Sequence, residues 1–332
     1  MFSTLAIVIT LLLLMFFAYR GYSVLILAPI MATLAVLLSG DFLSTIPAYT
    51  DVFMGALSGF LLKFFPIFLL GALFGRLMAD SGAATAIANT VVEKLGASKA
   101  ILAIALGSFT FTMTALPGTP AIQNAIPIPY YNTNVFAAPI LGIIGGTIMF
   151  VCGWMWLQSR ARKANAAGEG YGQHDEEDVG GVGATAKEAE VLNTHHTSFT
   201  IAMIPLVLVI GLNAILTYMV FPSIDFSSLQ TQFPDLNVAG SLGLWSIIIS
   251  LVVACVVLIL LRIGHWNNLQ KTINRGTYDS MLPIFNTASE VGYGAVIASL
   301  AGFLIIRDSI LNLNPDNPLI SEAVAMTTLA GI

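Results

Sequence analysis

Charge is what this sequence has least of. Only 9% of its 332 residues are Asp, Glu, Lys or Arg, where a typical soluble domain carries about a quarter. So few charges cannot cover a water-facing surface, which excludes an ordinary soluble domain. Cysteine is nearly absent as well. Cys152 and Cys255 each fall inside an apolar run, so neither a disulfide framework nor a metal site is indicated. The sequence has no G-x-x-x-x-G-K-[ST] phosphate loop and no H-E-x-x-H pair, and no serine or cysteine within a span stands with a suitable base. A nucleotide-driven pump and an intramembrane hydrolase are left without their chemistry. No organic cofactor and no nucleic-acid partner is expected, and the reading is of a protein that is not an enzyme.

What the sequence does have is apolar length. Hydrophobic residues make up 57% of the chain, gathered in runs of about 17 to 25, the length a helix needs to cross the hydrocarbon of a bilayer. The runs cover 4–19, 22–38, 64–91, 100–128, 135–157, 199–220, 242–261 and 281–306, and a ninth begins near Leu319. Strand-like alternation is absent, and lipid admits only helices or closed barrels, so the fold class is all-α and polytopic. The first run has no basic residue ahead of it and no small-residue cleavage site after it, which makes it a retained span rather than a signal peptide.

One long segment interrupts this pattern. Residues 158–198 include AGEGYGQHDEEDVGGVGATAKEAE, hold seven of the 18 acidic residues and lack apolar periodicity, the composition of a flexible linker. The chain therefore divides into a first membrane repeat (1–157), a cytoplasmic polar linker (158–198) and a second membrane repeat (199–332), the last expected to be incomplete at its C-terminus. Sidedness follows from Lys and Arg. Arg160, Arg162 and Lys163 follow one span, Arg262, Lys271 and Arg275 follow another, and Arg20 sits between the first two. These ends are read as cytoplasmic. His174, His195 and His196 lie in the linker and read as solvated, while His265 beside Trp266 reads as an interfacial anchor.

Pro-Ile-Phe occurs at Pro66 and again at Pro283, an offset of 217 that also carries Gly75 onto Gly292. The same offset maps the outward-going run 22–38 onto the inward-going run 242–261, so the halves run in opposite senses, a common plan of secondary transporters. Within 100–128 stands TALPGTPAIQNAIP. Pro117 and Pro120 with Gly118 between them should unwind the helix, and the freed backbone groups must then meet protein, water or cargo. An unwound stretch also points a half-helix N-terminus into the membrane, where it attracts anions. Thr114, Gly118, Thr119, Gln123 and Asn124 are the binding candidates there.

A second candidate is NTASEVGYG, 286–294. Asn286, Thr287 and Ser289 stand beside Glu290, whose carboxylate would be costly at the bilayer centre unless protonated, paired or watered. Glu290 is the first choice for a proton-coupling group and Asp80 the second. The two glycines permit a hairpin or a close helix approach. Arg76 and Asp80, spaced i, i+4, could pair, although an arginine snorkelling to the interface is the favoured role for Arg76.

These residues also resemble a known family. GALFGRLMADSGAATAIANTVVEKLG at 71–96, LPGTPAIQNAIP followed by APILGIIGG at 138–146, and FNTASEVGYGAVIASL at 285–300 are similar to the gluconate permease (gluconate:proton symporter) family of the wider ion transporter superfamily. The resemblance implies uptake of small organic acids by proton symport, two inverted repeats, broken helices or re-entrant hairpins, a homodimer in the bacterial inner membrane and an elevator-like movement. Gluconate-type members carry a phenylalanine-rich acidic stretch where TALPGTPAIQN stands here, so the expected cargo widens to hydroxybutyrate-like acids. The expectation is a proton-coupled symporter, with sodium-coupled carboxylate transport and an anion channel as alternatives.

Overall fold

The structure, a computed structural model, describes residues 2–95, 116–169, 197–312 and 317–330, and every regular element among these residues is helical. Helices α1 (Phe2–Tyr19) and α2 (Val24–Leu38) are joined by a turn at Gly21, whose φ of 88° suits glycine. Helix α3 (Thr45–Asp80) is 36 residues long and contains a π-helical stretch at Ala48–Phe53. After it come α4 (Ala83–Leu95), the single turns α5 (Ile122–Ala125) and α6 (Ile128–Tyr131), and α7 (Pro139–Ala166). The second half holds α8 (Phe199–Ser223), α9 (Ser227–Gln232), α10 (Val238–Leu261), α11 (Leu269–Ser299), α12 (Ala301–Leu311) and α13 (Pro318–Ala330). Helices α1, α3, α7, α8 and α10 are long and apolar enough to cross a membrane.

Two apolar runs do not form single straight spans. The run 64–91 is divided: α3 starts earlier and stops at Asp80, and α4 begins at Ala83. Gly82 there adopts φ 74°, which breaks the helical ladder, and the Ser81 hydroxyl both donates to Met78 O and accepts from Ala83 N. The run 281–306 is broken at Leu300, whose extended backbone sets α11 and α12 at 91° to one another.

The described chain forms two compact units, residues 1–65 with 281–332 and residues 66–280. The boundaries lie inside α3 and α11, beside the two Pro-Ile-Phe prolines. In the first unit α1 packs on α2 and on α12; in the second, α8 packs on α10 and on α4. Shifting the sequence by 217 carries α2 into α10, the α-helical body of α3 onto α11, and α4 onto α12 to within about a residue. Each unit therefore repeats one pattern, a long apolar helix holding a span and the short helix beyond a break. The internal repeat read from the sequence is expressed in this pairing of elements, and broken helices are part of it.

The two cores are built separately. In the first unit Ala28, Ala32 and Ala35 line α2 at helical spacing and pack with Ile7, Phe53 and Val296. Gly292 allows α11 to close on the π-helical stretch, since a Cβ there would stand 2.9 Å from the Phe53 ring. In the second unit Leu77, Met78, Ala83, Ala202, Cys255 and Leu258 form the centre. Gly243 lets α10 meet α6, where a Cβ would come 2.7 Å from Ile128 Cγ2.

Candidate functional site

The first candidate segment belongs to the second unit. Residues Leu116 to Ala121 are not helical, as Pro117, Gly118 and Pro120 require. Gly118 adopts φ 87° and its N–H donates to Val135 O at 2.8 Å. A Cβ at this position would run into the Phe136 ring. Gly142 on α7 plays the reciprocal part, for a Cβ there would lie 2.6 Å from Pro117 Cγ. The loop is thus seated by two glycines, one shaped by φ and one by contact.

Its polar groups are tied together from within. Thr119 Oγ1 donates to Leu116 O at 2.8 Å, and Asn124 Nδ2 lies 3.0 Å from Leu116 O, 3.2 Å from Thr119 O and 3.0 Å from Thr119 Oγ1. Asn124 therefore caps the carbonyls of a non-helical stretch, which lipid could not do. Gln123 is exposed, and Thr114 lies outside the described residues. The helix following the break is one turn of four residues, not the half-helix expected from the sequence. So short a run has too few aligned peptides to make a macrodipole, which leaves amide and hydroxyl groups as its means of holding an anion. Beyond it, Asn132 and Ala138 both have positive φ, 50° and 48°, a conformation that costs a non-glycine residue energy and clusters at functional sites.

The second candidate segment lies in the first unit and is helical throughout, inside α11. Thr287 Oγ1 donates to Pro283 O at 3.0 Å, the acceptor being the carbonyl of the proline turn. Ser289 is fully buried and donates to Leu25 O at 3.3 Å. Asn286 Oδ1 is buried with no hydrogen-bond partner, and Glu290, one turn further along, is exposed. Tyr293 completes this side of α11, its hydroxyl 3.3 Å from Thr10 Oγ1 on α1. Of the hairpin and the close approach that the glycines permit, the structure takes the approach, and the chain bends later at Leu300.

Asp80 sits in the second unit in a polar knot of its own. Arg76 Nε is 3.1 Å from Oδ1 and 3.2 Å from Oδ2, with only the Oδ2 contact aligned as a hydrogen bond. Thr272 Oγ1 on α11 donates to Oδ2 at 2.7 Å. The i, i+4 pairing read from the sequence is present. Arg76 does not snorkel, however; its side chain is 13% exposed because α11 closes over it. Gly276, one turn from Thr272, permits that closure, as a Cβ would lie 3.0 Å from Leu73 Cα and 3.2 Å from Arg76 Cβ.

A third polar cluster was not among the sequence candidates. Asn213 is fully buried on α8, where its Oδ1 accepts from Thr217 Oγ1 at 3.2 Å and from Ser246 Oγ of α10 at 3.4 Å. Thr217 lies on a π-helical turn, Leu216–Val220, a feature frequent at functional sites. The signal was the amide itself, since a lone Asn within an apolar span needs a partner.

Long apolar helices with polar residues buried within them define a multi-pass membrane protein. A profile described as GntP family permease matches residues 1–117. The uncharacterized transporter YxjC of Bacillus subtilis (strain 168) is 36% identical over 372 aligned positions, spanning 96% of this chain and 78% of that protein. The chain belongs to the GntP family of permeases, as the sequence resemblance led one to expect. No solved structure matches it.

Proposed function

We propose that the protein imports small organic acids, sugar acids or hydroxy acids such as gluconate-like or hydroxybutyrate-like anions, together with protons. The observation that carries this reading is the non-helical stretch Leu116 to Ala121, held by Gly118 and self-capped by Asn124 inside an otherwise apolar chain. Such a stretch spends its polar groups on backbone and cargo, which lipid cannot replace. In this reading the anion-binding residues are Thr114, Gly118, Thr119, Gln123 and Asn124 of one segment and Asn286, Thr287 and Ser289 of the other. Glu290 carries the proton, with Asp80 as second choice, because an acidic group within a span is a natural relay. Alternating access is of the elevator type, in a homodimer of the bacterial inner membrane surrounded by its lipid, and the coupling ion is the only cofactor.

The test is uptake of radiolabelled carboxylates by proteoliposomes under an inward proton gradient without sodium. Accumulation above the outside concentration is the expected result. Accumulation only with a sodium gradient would transfer the coupling to sodium, and passive equilibration alone would identify a channel.

A further inference from the structure

The residue least at ease in the second unit is Arg262. It follows the last residue of α10, the most apolar of the five spans, yet it is only 6% exposed. Its Nε and Nη2 are buried and have no hydrogen-bond partner. A guanidinium cannot shed its charge in a protein, and an unpaired buried charge is strongly unfavourable until an anion meets it. Burial also pushes this group below its ordinary pKa, in the direction that marks an uncompensated cation.

The surroundings say from which side an anion would come. The residues on either side of Arg262 in the chain are open where the guanidinium's Nε and Nη2 are not. The flanking Leu261 and Ile263 are 40% and 69% exposed, large apolar side chains turned outward on either side of the buried arginine. Trp266, four residues on from Arg262, folds back onto the end of α10, its indole N–H donating to Ile259 O at 3.2 Å, an aromatic at the level where a span meets the headgroups. Exposed leucine and isoleucine belong against acyl chains, so what reaches Arg262 between them carries both a chain and a negative charge. Soluble anions would have to cross that apolar margin.

We infer that Arg262 with its apolar collar at the end of α10 is a binding site for the phosphoryl group of an anionic phospholipid in the leaflet that faces this end of the helix. Arginine suits the task because its planar donors fit phosphate oxygens, and the exposed Leu261 and Ile263 accept the lipid's tails. The site shares no residue with Leu116 to Ala121 or with the Glu290 segment, and it stands independently of the transport reading.

The experiment follows the thermal unfolding midpoint of the full chain in neutral detergent while phosphatidylglycerol, phosphatidylcholine or inorganic phosphate is added, for the parent, Arg262→Gln, Arg262→Lys and the control Arg160→Gln. A rise of several degrees with phosphatidylglycerol in the parent and in Arg160→Gln, absent in Arg262→Gln and reduced in Arg262→Lys, is expected. Should Arg262→Gln not fold, a reduced rise in Arg262→Lys still supports the site and an undiminished one refutes it. No rise in the parent, an equal rise in Arg262→Gln, or an equal rise with phosphatidylcholine would overturn it. An equal rise with inorganic phosphate would assign a soluble anion instead, which equally overturns the lipid reading.

Discussion

The Thr272 hydroxyl donates to Asp80 Oδ2 at 2.7 Å across 192 residues of sequence, making α11 the lid over an ion pair that α3 forms with itself. Arg76 and Asp80 are neighbours on one helix turn, but it is Thr272 and the bare Gly276 that take the pair out of water.

Thr272→Val should therefore destabilise the second unit by about 1.5 to 3 kcal/mol, the range for a hydrogen bond to a charged group, with Thr272→Ser close to the parent. Arg76→Gln leaves Asp80 buried without its counter-charge and should cost about 3 to 5 kcal/mol. The double variant Arg76→Gln/Asp80→Asn should recover much of that. Unfolding midpoints in detergent supply the check, and additive losses in the double variant would show that the pair is not coupled.

Gly118→Ala meets two penalties together, a positive φ and a Cβ driven into the Phe136 ring. Loss of transport is expected, with about 1 to 3 kcal/mol of destabilisation. Phe136→Leu in the same background should restore only part of it, because the backbone penalty remains. Uptake in proteoliposomes measures this, and parent-like transport by Gly118→Ala would mean that the loop tolerates another conformation.

Gly302 opens α12 with its N–H accepted by Ser3 Oγ at 3.0 Å, and a Cβ there would collide with the backbone of Ser3 and Thr4. Ser3→Ala should cost about 1 kcal/mol, the usual loss of a helix cap, whereas Gly302→Ala should displace α12 from α1. Cross-linking yield between cysteines introduced on α1 and α12 would report the displacement, and an unchanged yield in Gly302→Ala would count against the tight seat.

Glu290→Gln is expected to abolish proton-driven accumulation while sparing exchange of labelled for unlabelled substrate, since the amide can still contact cargo but carries no proton. Concentrative uptake at the parent level in this variant would remove Glu290 from the mechanism and leave Asp80 as the acid to examine.

Much of the architecture was legible because bilayer thickness writes itself into the sequence as apolar length. The break at 116–121 was legible for the same kind of reason, since two prolines around a glycine cannot continue a helix. The offset of 217 foretold the correspondence of α2 with α10, while that of α4 with α12 emerged only once the two breaks were in place. The division at Gly82 was hidden, because one glycine among 29 gives no notice of its φ. The bend at Leu300 was hidden more deeply, for leucine favours helix and it is the contact of α12 with α1 that holds the bend. Thr272 could not be seen as the partner of Asp80, because the two are brought together from far along the chain. Nor could Arg262 be seen as buried, since it resembles any basic residue at a span end until its neighbours are in place.

The alternation of the chain between its two units has a consequence for how the protein is made. The α1–α2 pair leaves the ribosome well before α12, the helix that α1 also packs against, which follows only after the whole of residues 66–280. At roughly 5 to 20 residues per second that is an interval of about ten to forty seconds, during which the newborn hairpin sits in lipid with one flank bare. Insertion chaperones have that window in which to hold it, and a truncation that removes α12 should leave the α1–α2 pair as the part exposed to degradation.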